Sequence, residues 1–370
     1  MSTGSALQTV WPPEKTETLD LCPACDSRHT TILYAALEDR VFGSPGKWTL
    51  WECHHCGITF LNPRLTPGAI SEAYANYYTH TAPSRRTLRL VMRDFVVNTY
   101  ARRHFGRRPR PSLAWSDWVM RKRLPTVAEG MAANYRYLPR PTREASLLDV
   151  GCGNGDFLRQ VQQLGWHAVG LESDPQAHSV AAARKLHIVR GSVPDTGLRD
   201  DSFEAVTLNH VIEHVHDPRR VLSELFRLVK PGGRVILTTP NWRSYGAKLF
   251  GRWWRGFEPP RHLVLFTPDS LAAAVTRAGF VAPEIRVQPE VADFFFRQSH
   301  SIASSAPPGS LPLTPELEVE LKRAQAAARA DVNLAEQFTV IATKPGGPPP
   351  SGGGAVSQGA PILRKRDLRA

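Results

Sequence analysis

One stretch constrains the fold more than any other: residues 146–174, SLLDVGCGNGDFLRQVQQLGWHAVGLESD. Residues 146–150 form a short apolar run carrying Asp149, which reads as a buried strand. Gly151, Gly153 and Gly155 follow at once. Phe157, Leu158, Val161 and Leu164 then recur at helical spacing, and Gly165 ends the helix. A second apolar strand, 167–171, stops on Glu172. A glycine turn between strand and helix lets a ligand lie against bare backbone, with the helix N-terminus aimed at it. Glu172 stands 21 positions past Gly151 (172 − 151). That is where such units present a carboxylate to a ribose.

After Glu172 the alternation continues. The pattern predicts a helix over 175–186 and strands over 187–191 and 203–208. A helix over 217–229 then ends at Lys230-Pro231-Gly232-Gly233, and a strand over 234–239 follows. A helix over 268–278 and strands over 281–287 and 338–342 complete the series. Strands alternating with helices imply a parallel sheet covered on both faces. Residues 243–262, with Phe250, Trp253, Trp254 and Phe257, interrupt the series and read as a cover over a site. A second insertion is expected at about 290–332, with a helix over 315–330.

The front of the chain obeys a different logic. Cys22-Pro-Ala-Cys25 and Cys53-His-His-Cys56 are two CxxC knuckles with 27 residues between them, holding a hairpin at about 30–36 and 48–51. Cys22, Cys25, Cys53 and Cys56 can offer four thiolates to one tetrahedral zinc, a closed structural site. His54 and His55 read as exposed knuckle residues. Cys152, the fifth cysteine, sits inside the glycine turn as a small packed residue. The expected layout is a disordered lead at 1–20, a zinc-ribbon-like unit at 21–80, a basic helical segment at 81–145, the main α/β domain at 146–344 and a disordered basic tail at 345–370.

Charge matters only in one place. The chain carries +12, and residues 81–145 alone hold 15 Arg and Lys against four Asp and Glu, a net of +11. Arg85, Arg89 and Arg93 form a stripe opposite Leu88, Val91, Met92, Phe95 and Val96, and Trp115 and Trp118 precede Arg121-Lys122-Arg123. Residues 85–123 can contact an anionic membrane surface, or they can pack on the main domain with wet arginines. No uncharged apolar run approaches 18 residues, which excludes a spanning helix. The first twenty residues lack the basic start and apolar middle of an export leader. Paired free cysteines favour a reducing cytoplasm, with the inner membrane face as a peripheral location.

Four ordered motifs now carry a resemblance. LLDVGCGNGDFL, VGLESDP, DDSFEAVTLNHVIEHVHDP and LVKPGGRVILTTPN strongly resemble the class I S-adenosylmethionine-dependent methyltransferases. CPAC…CHHCGITFLNP and PPRHLVLFTPDSL look like the branch with an N-terminal zinc-binding unit, associated with sugar, polysaccharide or natural-product methylation. The resemblance implies a Rossmann-like fold with a mostly parallel seven-stranded sheet whose last strand is reversed. It implies S-adenosyl-L-methionine held by Asp149, Gly151, Gly153 and Gly155 at its methionine end and by Glu172 at its ribose. Ser192, Val193 and Asn209 would complete the cofactor pocket. Ser192 and Val193 stand where many relatives place an acid for adenine, so backbone contacts are expected there.

The acceptor is expected to be a small-molecule or glycan hydroxyl, activated by a histidine. His262, in the cover, and His210, at the strand end where open sheets bind ligands, are the candidates by position, with His214 a turn further on. Glu213 and His214 can instead hold a divalent ion or simply pack. Two other readings compete: a nucleic-acid methyltransferase, suggested by the basic segment, and a non-catalytic nucleotide-binding module. Against nucleic acid, Leu208-Asn209-His210-Val211 stands where amino-directed DNA enzymes carry Asn/Asp-Pro-Pro-aromatic. Oligomeric state and the identity of the acceptor are not encoded in any motif.

Overall fold

In a computed structural model, residues 10–74, 101, 104–106 and 131–346 are described. Most of 85–123, including Arg85, Arg89, Arg93 and Arg121-Lys122-Arg123, and nearly all of the tail lie outside the described residues.

The N-terminal unit opens with β1 (Thr16–Glu17), then β2 (Thr30–Leu37), β3 (Trp48–Cys53), β4 (Thr59–Leu61) and β5 (Arg64–Leu65). The lead expected to be disordered at 1–20 is partly built in: Trp11 is buried, and Thr16 and Glu17 pair antiparallel with Leu65 and Arg64. Ile70–Tyr74 is a 3-10 turn.

The main domain runs β6 (Ser146–Val150), α1 (Asp156–Gln163), β7 (His167–Glu172), α2 (Pro175–Ala183), β8 (His187–Arg190), β9 (Phe203–Asn209), α3 (Pro218–Leu228) and β10 (Val229–Pro240). It continues with α4 (Tyr245–Phe250), β11 (Val264–Leu265), α5 (Pro268–Arg277), β12 (Val281–Val287), α6 (Ala292–Ala303), α7 (Pro315–Ala330) and β13 (Gln337–Thr343). Seven strands form one sheet in the order β12-β13-β10-β9-β6-β7-β8. β13 alone runs against its neighbours, the reversed last strand expected.

Burial explains the apolar runs. Leu147 and Leu148 both have 0% exposure and point to opposite faces of β6. Leu147 joins Leu158, Val161 and Ile236 in one core; Leu148 joins Val206, Leu225 and Phe280 in another. α3 shows how one covering helix is specified. Asp217 caps it by accepting from Arg219 and Arg220 N–H at 3.1 and 3.0 Å, Pro218 opens it, and Val221, Leu222, Leu225 and Leu228 are buried. Such a cap is worth about 1 kcal/mol.

The two units are one structure. β11, from the main domain, pairs with β4, so the second sheet runs β11-β4-β3-β2. Cys22, Cys53, Ile58 and Phe60 belong to the same core as Leu148 and Val264. The cover is stitched down as well. Fully buried Arg261 donates to Glu258 within the cover at 2.9 Å, and to Asp39 at 2.9 Å and the Ala73 carbonyl at 3.1 Å in the N-terminal unit. Trp242 Nε1 donates to the Gly57 carbonyl at 3.0 Å.

Candidate functional site

The glycine turn sits at the carboxyl end of β6, in the middle of the sheet. Gly151 has φ +67°, and a Cβ there would lie 2.6 Å from Val211 Cγ2, so the turn after β9 closes directly onto it. Gly153 has φ +53° and nothing within 4 Å of where a Cβ would be, which leaves that face of the turn open. Glu172 folds back on the turn. Its Oε2 accepts from Gly153 N–H at 2.9 Å, and its Oε1 accepts from Ser173 and Asp174 N–H at 2.8 and 3.0 Å. Ser192 and Asn209 are exposed and Val193 is half-buried, at the ends of β8 and β9.

Asp149 is 1% exposed. Its Oδ1 accepts from the Arg136 guanidinium and from Thr207 Oγ1, at 2.8 Å in the latter case. Its Oδ2 is buried and has no hydrogen-bond partner. Burial raises the Asp149 pKa above the usual carboxylate range, although Arg136 and Thr207 oppose the shift. An orphaned, destabilised carboxylate oxygen beside open backbone suits an ammonium group. The fit with the methionine end of the cofactor is therefore chemical as well as positional.

Next to this crevice lies a cluster of acids and imidazoles. His210, with φ +55°, follows β9 and has a side chain 38% exposed. Its Nδ1 lies 3.2 Å from Glu213 Oε1. Glu213 has 0% exposure and also accepts from Thr239 Oγ1 at 3.0 Å. Burial would push the Glu213 carboxyl up, but the His210 hydrogen bond and the neighbouring imidazoles bring it down to about 2. An ionised carboxylate only accepts, so His210 Nδ1 is the donor in this pair.

His214 Nδ1 lies 2.9 Å from the Tyr74 hydroxyl and 3.0 Å from the Arg261 carbonyl. His262 is buried, its Nδ1 2.7 Å from the Gly256 carbonyl and its Nε2 3.7 Å from Glu258 Oε2. Burial lowers its pKa to about 4, with Glu258 opposing, so it is neutral near pH 7. Glu213, His214 and His262 bring ligand-type atoms within 4.8 Å of one another. Each is already hydrogen-bonded to the neighbours just named, and the His214 and His262 rings meet edge-on with centroids 4.7 Å apart.

The four knuckle cysteines also converge. All sulfurs lie within 4.8 Å of one another, with Cys22–Cys56 and Cys25–Cys53 each at 3.6 Å. The two knuckles repeat one turn: Asp26 N–H donates to the Cys22 carbonyl at 3.0 Å and Gly57 N–H to the Cys53 carbonyl at 2.9 Å. A tetrahedron with metal–sulfur bonds of about 2.3 Å has edges of about 3.8 Å, so the thiols stand at metal spacing. The hydrogen bond they share holds Cys56 below the usual thiol range and Cys22 above it. His54 and His55 are exposed, as the sequence suggests.

Residues 121–284 match the family described as "Methyltransferase domain". The chain carries a methyltransferase domain. Relatives include a "Ubiquinone biosynthesis O-methyltransferase" of Cereibacter sphaeroides, 29% identical over 172 residues, covering 42% of this chain and 70% of that protein. The protein of the same name from a Bradyrhizobium species is 30% identical, covering 36% of this chain and 61% of its own length. The mitochondrial one of Schizosaccharomyces pombe is 34% identical, covering 25% and 37% respectively. The chain thus spans between 37% and 70% of the length of these three relatives. Among solved structures, a "SAM dependent methyltransferase" from Archaeoglobus fulgidus aligns with a TM-score of 0.41 and 19% identity, covering 63% of this chain and 100% of that one.

Within the methyltransferase domain, sequence reading passed over Arg136. Its guanidinium lies 3.6 Å from the centroid of the Phe157 ring and donates to Asp149 and to Thr207 Oγ1. Arg136 and Tyr137 have φ of +51° and +54°, a strained pair that turns the arginine into the crevice. In the sequence it is one of 15 basic residues in its segment and nothing local marks it. Asp39 and Tyr74 were missed likewise, because they reach the site from far along the chain; Glu258, four residues before His262, was missed because only the folded cover turns its carboxylate onto Arg255 and Arg261.

Proposed function

We propose that the methyltransferase domain transfers the methyl of S-adenosylmethionine to a hydroxyl of a small-molecule acceptor, with His210 as general base. When bound, the cofactor supplies an electrophilic methyl on a sulfonium. The chain's residues do the rest. Asp149, through its unpartnered Oδ2, would hold the amino group at the methionine end, and Gly151, Gly153 and Gly155 would supply backbone to lie against. Glu172 would take the ribose hydroxyls with lone pairs its three backbone donors leave over. Ser192, Val193 and Asn209, at the ends of β8 and β9, would complete the pocket.

The observation that carries the base assignment is the His210–Glu213 pair. Glu213 fixes the tautomer and would stabilise the imidazolium formed when Nε2 takes the acceptor proton. His262 is buried and bonded to Gly256, and His214 is held by the Arg261 carbonyl. Each fits a positioning role better than it fits contact with an acceptor. The name O-methyltransferase on three relatives favours oxygen as the atom methylated. A sugar or glycan hydroxyl remains the acceptor expected from the front-end motifs. Cys22, Cys25, Cys53 and Cys56 are proposed to hold one structural zinc.

The test is S-adenosylhomocysteine release over a panel of phenols, sugars and glycosides. We expect turnover with at least one hydroxyl acceptor, and a fall on the order of 100-fold or more in His210→Ala with S-adenosylhomocysteine affinity unchanged. Activity within threefold of the parent in that variant would remove the base role.

A further inference from the structure

A cavity of 210 Å³ lies between the end of β2 and the cover, away from the glycine turn in sequence and built by both units. Three arginines line it: Arg40, Arg252 and Arg255. Three carboxylates line it as well, Glu38, Asp39 and Glu258, and the last two are already spent. Asp39 accepts from Val41, Phe42 and Ser44 N–H and from Arg261. Glu258 accepts from Arg255 and Arg261.

The arginines keep donors over, although Arg255 pairs with Glu258 and Arg40 Nη2 lies 3.7 Å from Glu38 Oε2. Arg252 uses Nη2 on the Ala35 and Ala36 carbonyls, and Arg40 uses Nη1 on Ser305 Oγ. Arg255 Nε is buried and has no hydrogen-bond partner. The guanidiniums of Arg40 and Arg252 are also held in place, 4.1 and 5.3 Å from the Trp253 ring centroid. Stacked guanidinium forks lose little further freedom when an anion arrives.

We propose that this cavity is an anion site taking the phosphoryl or pyrophosphoryl group of the acceptor. The proposal rests on the methyl-transfer reading only for the word acceptor. A carboxylate offers two oxygens in one plane and satisfies one fork. Forks from three points of the chain call for a tetrahedral anion with oxygens in several directions. At about 30 Å³ per water, 210 Å³ holds about seven waters, room for a pyrophosphate. Glu258 joins the cavity wall to His262, 3.7 Å away, so an acceptor anchored here is one side chain from the imidazole cluster.

The experiment is calorimetry on the full chain with inorganic pyrophosphate and uridine diphosphate, with S-adenosylhomocysteine as control. We expect pyrophosphate to bind, uridine diphosphate to bind more tightly, and both affinities to fall about tenfold or more in Arg252→Gln and in Arg40→Gln. S-adenosylhomocysteine affinity should be unchanged in both, which also shows that they fold. Arg40→Lys, which keeps charge without the fork, should recover only part of the loss. Pyrophosphate binding that is absent, or equal in parent and Gln variants, overturns the anion site. Uridine diphosphate binding no tighter than pyrophosphate overturns its assignment to an acceptor's handle. Loss of S-adenosylhomocysteine binding in the parent would instead remove the methyl-transfer reading and leave the anion site standing.

Discussion

Glu336, just ahead of β13, is 3% exposed and takes three hydrogen bonds. Oε1 accepts from Gly246 N–H at 2.6 Å; Oε2 accepts from Ser244 Oγ and from Trp254 Nε1, both at 2.8 Å. It therefore anchors the first helix of the cover and one of its tryptophans to the main sheet. Burial nevertheless outweighs the three donors and raises its pKa from 4.5 to about 7. A carboxyl whose folded pKa is raised holds its proton better in the native state. Its stabilising contribution is complete below about pH 4.5 and is lost as pH rises through about 7. A shift of 2.5 units (7 − 4.5), at about 1.4 kcal/mol each, puts the loss at about 3 kcal/mol.

Glu336→Gln removes the titration and leaves one N–H donor facing an amide NH₂, a fixed cost of about 1–3 kcal/mol. Urea unfolding of both proteins at pH 5 and pH 8 separates the two effects. Because pH 5 already lies above 4.5, the stability difference between variant and parent should move by about 2.5 kcal/mol in favour of the variant from the lower pH to the higher. A difference that is the same at both pH values would refute the reasoning, whatever its size.

Glu172→Ala should weaken S-adenosylhomocysteine binding by about 10- to 100-fold in calorimetry, through loss of charged hydrogen bonds; unchanged affinity contradicts the assignment. It should also loosen the turn, because Gly153 N–H loses its acceptor. Arg136→Ala leaves Asp149 Oδ1 with Thr207 alone and should raise the Asp149 pKa further, since Arg136 is the main influence opposing burial there. Cofactor affinity in that variant should then fall as pH is lowered, and fall earlier than in the parent. Metal analysis should find about one zinc per chain, absent in Cys53→Ser, which should unfold at lower urea because Cys53 lies in the shared core.

The parts of this fold legible in sequence are those whose physics is local. β6, β7 and β9 are buried on both faces, so their apolar runs announce them. α3 carries its own cap and its own proline. The glycine turn needs positive φ at Gly151, Gly153 and Gly155, which the residue type betrays. β10 begins at Val229 rather than 234, because Val229 already pairs with Phe203 and the Lys-Pro-Gly-Gly turn bulges out before the ladder beside β9 resumes at Arg234.

What stayed hidden depends on distant partners. β11 is two residues long and exists because Val264 meets Phe60. Arg261 is an unremarkable cation until Asp39 and Glu258 surround it. Of the three histidines named from sequence, position alone put His262 forward. Its burial, and the Glu213 contact that singles out His210, become visible only in three dimensions.

The strand shared between β11 and β4 bears on how such chains can be recombined. A graft that exchanges the first 74 residues for another knuckle unit would leave Val264 and Leu265 without their ladder, and Arg261 without Asp39. A working chimera must carry the 258–266 segment with its own front end, so the inherited module is discontinuous in the gene although it is contiguous in space.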